Sequence, residues 1–264
     1  MLISGKVFVV TGGGDGIGRE VVLELARRGG RVAAIDRRPE ALRETARLVA
    51  PATIATFVVD ITDRAAVEAL PGQVVAQLGQ VDGLINVAGI IQRFVSIDEL
   101  SIEDMERVMD VNFWGTAFMV KAFLPSLLQR PAASITNVSS MGALVPVPGQ
   151  GAYGASKAAV KLLTECLFAE LQGTSVSVTE VIPGGVGTHI TENSGVEIPG
   201  TVDVSQAKVT SAADAARQIV DAIASGRFRV LIGGDARTLD RLSRLAPTKA
   251  ITFVAARMKK ALGL

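Results

Sequence analysis

The feature that most limits the fold is an alternation repeated along the chain. Short runs of Val, Ile, Leu and Ala are each followed by a stretch with apolar residues three and four apart. Residues 6–10 (KVFVV) read as a strand. Residues 17–28 carry Ile17, Val21, Val22, Leu25 and Ala26 at helical spacing, and the glycines at 29 and 30 end that helix. Further strands are expected at 31–35, 56–59, 83–87, 134–138 and 175–181, and 230–232 fits a seventh. Helices are expected at 41–49, 65–78, 101–128 and 154–171. Strands that are apolar throughout are covered on both faces. Alternation with helices then implies an α/β fold: a doubly wound parallel sheet of about seven strands, helices on both faces and right-handed crossovers. One domain is expected over residues 1–234, with a separate tail at 235–264.

Composition narrows the function. The 264 residues are 48% hydrophobic and 20% charged, which suits a folded chain. Lys+Arg total 27 against 26 Asp+Glu, so nothing favours nucleic acid. One Cys and one His leave no internal disulfide, no multi-cysteine zinc site and no HExxH chemistry; no metal is expected. No apolar run approaches the roughly 18 residues of a membrane span, and no signal peptide is legible, so a cytoplasmic protein is expected. Glycine is enriched, at 27 residues, and it clusters in short loops.

The first of these loops is Thr11-Gly12-Gly13-Gly14-Asp15-Gly16-Ile17-Gly18, between a strand and a helix. Glycines let the backbone turn tightly and a diphosphate approach, and the helix N-terminus offers it free N–H groups and partial positive charge. The spacing is neither GxGxxG nor a P-loop. Asp36 ends the second strand, 18 residues past Gly18, where a carboxylate accepts hydrogen bonds from both hydroxyls of an adenosine ribose. Asp36 and Asp15 would repel a 2′-phosphate, which favours NAD(H). Arg37 and Arg38 pull the other way and leave NADP(H) open. Asp60 ends the third strand within reach of an adenine amino group, while Asp63 suits a helix cap. The small residues of Asn86-Val87-Ala88-Gly89 would let a cofactor lie across the strand ends.

Tyr153 and Lys157 stand four apart on an expected helix and share a face. Tyr153 is the only tyrosine. A free phenol titrates near ~10, and lowering that by ~3 units takes about 4 kcal/mol, which a nearby ammonium helped by a cationic ring can supply. Ser139 and Ser140 end the fifth strand.

Taken in order, TGGGDGIG, NVAG, Ser140, Tyr153-Gly154-Ala155-Ser156-Lys157 and Pro183-Gly184-Gly185-Val186-Gly187-Thr188 resemble the motifs of the short-chain dehydrogenase/reductases, in their compact single-domain branch, over about residues 6–188. The 13-residue gap before Tyr153 selects Ser140 over Ser139. The resemblance implies a Rossmann-like fold and an NAD(P)(H)-dependent oxidoreductase that interconverts a secondary alcohol and a ketone on an apolar small molecule. It makes Tyr153 the general acid/base. Lys157 lowers the Tyr153 pKa and holds the nicotinamide ribose. Ser140 orients the substrate oxygen, and Asn112, in Asp110-Val111-Asn112, holds a water linking Lys157 to solvent. Val186 and Thr188 hold the nicotinamide carboxamide. The rest of the expected cofactor contact is Thr11, Gly12, Gly14, Asp15, Gly16, Ile17, Gly18, Asp36, Arg37, Asp60, Ile61, Asn86, Ala88, Gly89, Val111, Pro183 and Gly184. The resemblance further implies a homotetramer, or a homodimer, paired partly through the helices of Asn112 and Tyr153. Val87 departs from the pattern, where a second Asn is common. A dinucleotide-binding regulator or scaffold on the same fold is the alternative. A methyltransferase would have no use for Tyr153 and Lys157.

Substrate choice is expected to lie with residues 143–151, rich in Leu, Val and Pro, and with an irregular loop at about 189–210 that opens on His189. The tail carries seven Lys/Arg and two Asp, +5 in all, with Leu239, Leu242 and Leu245 at helical spacing. Such a segment could lie on an anionic membrane surface. The preferred reading packs it on its own domain or a neighbouring subunit.

Overall fold

The computed structural model describes residues 1–49, 54–197 and 209–262. Seven strands form one wholly parallel sheet: β1 (Val7–Thr11), β2 (Arg31–Asp36), β3 (Ile54–Val58), β4 (Gly83–Asn86), β5 (Ala133–Val138), β6 (Val176–Pro183) and β9 (Arg229–Ile232). Their order across the sheet is β3-β2-β1-β4-β5-β6-β9. Alternate residues of each strand point to opposite faces. Val9, Ile35, Leu84 and Ile135 join a core under α3 (Arg64–Leu78), α5 (Gly115–Leu127) and α6 (Gly151–Glu170). Phe8, Val10, Val32 and Ile85 join a second core under α1 (Gly16–Arg27) and α8 (Ala212–Ser225). In β1, β2 and β4 both faces are apolar, which is why these strands show no polar alternation, whereas β5 sets buried Ser134 and Thr136 on either side of Ile135.

Caps set the helix starts. Asp15 accepts from the Gly16 N–H at 2.7 Å, Asp63 from Ala66 N at 3.1 Å and Ser101 from Asp104 N at 3.1 Å. α2 (Pro39–Arg47) begins instead on Pro39.

The fold differs from the sequence expectation in three places. Residues 101–128 are not one regular helix: α4 (Ile102–Met109) passes through a π-helical turn at Asp110–Trp114 into α5. The wide turn accompanies the inward rotation of Asn112, whose carboxamide is fixed by the backbone of Ile90. The helix α8 was missed, although Ala215, Ala216, Ile219, Val220 and Ile223 trace its buried stripe. The irregular segment holds α7 (Ile190–Ser194) and is bracketed by a two-stranded parallel ribbon, β7 (Val186–Gly187) with β8 (Thr210–Ser211). The rest of the expected substrate loop, 198–208, lies outside the described residues. The tail is two helices, α9 (Gly234–Leu245) and α10 (Pro247–Leu262), the second starting at a proline. α9 is tied to the sheet, since Asp240 takes the Arg229 guanidinium at 2.9 Å and Asp235 accepts from Gly185 N at 2.7 Å. Among the described residues no helix is long and apolar enough to cross a membrane.

Candidate active site

Strand order reverses between β1 and β4, so their crossovers leave to opposite faces. A crevice opens beyond the strand ends at such a point. Here the space it spans, open solvent at its mouth included, is about 920 Å³. Gly12, Asp15, Gly16, Ile17 and Gly18 form one wall, with Asp36, Arg37, Asp60 and Ile61 along the rim. Ala88, Gly89, Val111 and Thr188 close the far end.

Sequence reasoning missed Ile35, Val59, Ile90, Ile190 and Asn193, which line it too. Arg38, weighed for a 2′-phosphate, and Val87, in the run under the cofactor, line it as well. Nothing in the irregular segment singled out Ile190 or Asn193. Several expected contacts lie elsewhere. The Thr11 hydroxyl accepts from Val87 N at 3.0 Å and Ala88 N at 3.2 Å, so it spaces β1 from β4. Gly14 faces Asp36, to which its N–H donates at 3.1 Å. Asn86 is buried and donates to Asn137 at 2.8 Å. Pro183, Gly184 and Val186 stand beyond the crevice lining, where Asp235 holds the Gly185 backbone.

Two glycines are required by space. Gly12 has φ +68°, and a Cβ there would sit 3.0 Å from Ala88 Cα. A Cβ on Gly18 would lie 2.1 Å from the Gly12 carbonyl oxygen. The wall is bare backbone leading into a helix N-terminus. With a carboxylate at the end of β2, that is a donor and acceptor set fitted to a dinucleotide.

The rim charges are bound to one another. Asp36 accepts from Arg38 N at 3.0 Å and Arg38 Nε at 3.3 Å. The Arg38 guanidinium also reaches Asn193, whose own amide donates to Asp15 at 2.8 Å. Partial burial opposes ionisation of Asp15. Hydrogen bonds from Asn193, Gly16 N and His189 outweigh it and hold the carboxyl below its usual range. His189, exposed at the start of α7, approaches Asp15 at 3.2 Å. The short helix α7 is thus fastened over the glycine loop.

The catalytic candidates lie on α6, the π-helical turn and the turn after β5. Ser139 is buried and donates to the Lys157 carbonyl at 2.8 Å, which leaves Ser140 as the serine beside Tyr153. Ser140 and Tyr153 both border Gly142, and Ser140 accepts from Gly142 N at 3.1 Å. Lys157 follows one turn along α6, buried, its Nζ donating to the Val138 carbonyl at 3.1 Å. A Cβ on the crevice residue Gly89 would stand 3.0 Å from that Nζ and 3.1 Å from Asn112 Oδ1. Asn112 donates to the Ile90 carbonyl and to Ser156, both at 2.9 Å, and accepts from Ile90 N at 2.8 Å. Its side chain is thereby committed to protein partners.

Burial raises the Tyr153 pKa against a smaller lowering by Ser140. Burial also brings Lys157 down to about 8. In the chain by itself the phenol is not yet acidified, contrary to the simple expectation from an adjacent lysine. Desolvation disfavours both charged forms here.

A sequence model of the short chain dehydrogenases matches residues 6–198. The chain belongs to this family. Over 267 residues it is 36% identical to a Mycobacterium tuberculosis protein named as an oxidoreductase, SadH, covering 97% of this chain and 96% of the relative. A short-chain dehydrogenase/reductase from Burkholderia phymatum, solved with NAD, superposes with a TM-score of 0.84 at 29% identity over 95% of this chain and 97% of the other. One from Burkholderia cenocepacia, solved with NADP, gives 0.81 at 28% identity over 96% and 99%. This short-chain dehydrogenase is accordingly an oxidoreductase on a nucleotide-binding Rossmann-like fold.

Proposed function

We propose that the enzyme interconverts a secondary alcohol and a ketone on a relatively apolar small molecule, using NAD(H) and Tyr153 as general acid/base. The observation that carries this reading is Ser140 and Tyr153 side by side at Gly142 and, one turn along α6, buried Lys157 behind Gly89, which lines a crevice suited to a dinucleotide. The cofactor supplies the hydride. In ketone reduction the Tyr153 hydroxyl gives its proton to the substrate oxygen, and in alcohol oxidation the phenolate takes it back. Ser140 donates to the same oxygen and fixes its direction. Lys157 stabilises the phenolate. The Asn112 side chain, committed to Ile90 and Ser156, holds the loop after β4 against α6.

The cofactor preference rests on Asp36 and Arg38. Asp36 keeps a carboxylate at the ribose position, and Arg38, the cation best placed for a 2′-phosphate, is engaged by Asp36 and Asn193. The substrate's apolar class rests on the composition of residues 143–151. Exposed Ile102, Trp114 and Leu162 on α4, the π-turn and α6 support pairing of subunits through these helices, and we expect a homotetramer by light scattering.

The test is NADH consumption with a panel of ketones. Tyr153→Phe should abolish turnover and keep NADH affinity within about threefold, since only a hydroxyl is removed. Turnover retained by Tyr153→Phe would refute the acid/base role. Cofactor binding with no turnover of any ketone or alcohol would favour the regulator reading instead.

A further inference from the structure

Tyr153 lies in the first turn of α6, where helices fray because their first N–H groups have no partner within the helix. The residue preceding this helix, Gln150, makes no side-chain cap to it. Its amide is directed to the Gln92 carbonyl, at 2.8 Å. The cap comes from the other end of that contact. Gln92 Oε1 accepts from Ala152 N at 2.7 Å and from Tyr153 N at 3.0 Å, and Gln92 Nε2 donates to the Gly149 carbonyl at 3.1 Å. Gln92 has no exposed surface. Two converging N–H groups demand an oxygen at that place, which settles the orientation of the amide. Four hydrogen bonds therefore join the loop after β4 to the start of α6, across some sixty residues of sequence.

The loop is itself held. Ile90 exchanges two hydrogen bonds with the Asn112 side chain, and Ile91 N donates to Ser194 at the end of α7 at 3.0 Å. Gln92 is thus a fixed point from which the first turn of α6 hangs. The spacing of the Tyr153 hydroxyl from Lys157, a full turn deeper and anchored on Val138, depends on that turn staying wound.

We propose that Gln92 is a positioning residue for Tyr153: it supplies from a distance the N-cap that α6 lacks and so keeps the phenol in register with Ser140 and Lys157. The proposal rests on the reading of Tyr153 as the acid/base. It adds to that set a side chain that touches neither substrate nor cofactor.

The test exploits the single tyrosine, which makes all phenolate absorbance of the protein that of Tyr153. The wild type, Gln92→Met and Lys157→Met are each saturated with NAD⁺ and titrated, and the same proteins without cofactor are followed by amide hydrogen exchange. In Gln92→Met the Ala152 and Tyr153 amides should lose protection. The phenol of its NAD⁺ complex should titrate at least one unit higher than in the wild type, a tenfold loss of phenolate at fixed pH. Faster exchange with an unmoved phenol titration would make Gln92 a structural cap only and overturn the proposal, as would unchanged exchange. Failure of the parent reading shows separately, as a phenol that Lys157→Met does not move. Should Gln92→Met not fold, Gln92→Asn, one methylene too short to reach both amides, carries the same two readouts.

Discussion

Replacing Lys157 by Met should stabilise the cofactor-free protein while destroying its chemistry. Burial takes the Lys157 pKa from 10.5 to about 8. At ~1.36 kcal/mol per unit, the folded chain bears a penalty of about 3 kcal/mol for holding a charged amine there. The sign follows from linkage. The folded pKa is below the unfolded one, so the penalty is full below about 8, shrinks as the pH rises and is gone above 10.5. Methionine fills a similar volume and carries no charge to desolvate. It also leaves the Val138 carbonyl without its 3.1 Å donor, a loss of about 1 kcal/mol. The net gain at neutral pH is about 2 kcal/mol, or roughly 5 °C in Tm for a chain of this size. Thermal melts of the two proteins, without cofactor and over a series of pH values, check this. The gap should be widest at neutral pH and close toward alkaline pH. A variant that melts below the wild type at neutral pH, or a gain that ignores pH, would refute the reasoning, because the amine would then not be a desolvated charge.

Other outcomes follow from the same geometry. Glu180 is fully buried beside Arg229, and burial, partly offset by that guanidinium, raises its pKa from 4.5 to about 7. The folded state holds the extra proton, so wild-type stability falls as pH rises from 4.5 to 7, and Glu180→Gln should gain stability above pH 7 but not at pH 4.5, read by denaturant midpoints. Asp36→Ala should move the NADPH-to-NADH ratio of kcat/KM toward NADPH by tenfold or more, since it removes a carboxylate and frees Arg38. An unmoved ratio would place selectivity in another group. Gly12→Ala puts a Cβ against Ala88 at a φ of +68°, and the left-handed conformation alone costs roughly 1–2 kcal/mol. We expect a Tm lower by several degrees and NADH affinity down at least tenfold by fluorescence titration.

What the sequence revealed and what it hid divide along a physical line. Val9, Ile35 and Leu84 announced their strands because both faces of the sheet are apolar there, so the run itself is the signal. Asp63 and the glycine loop were legible because a cap or a tight turn is local chemistry, settled within a few residues. Tyr153 and Lys157 were legible because four positions along a helix fix a shared face. The π-turn at Asp110–Trp114 was not, since what accompanies it is a bond from Asn112 to Ile90, across 22 residues. Asn193, fastened to Asp15 across 178 residues, gave no local sign at all. Gln92 stands in IIQRF with nothing to distinguish it from a surface glutamine. Each of these hidden residues joins two segments that a motif treats separately. Their contribution is to the relative placement of the motifs, and no pattern read along the chain reports placement. The same division says where a substitution will mislead: at Gln92 or Asn193 a change that looks conservative in the sequence alters the spacing between two parts of the site.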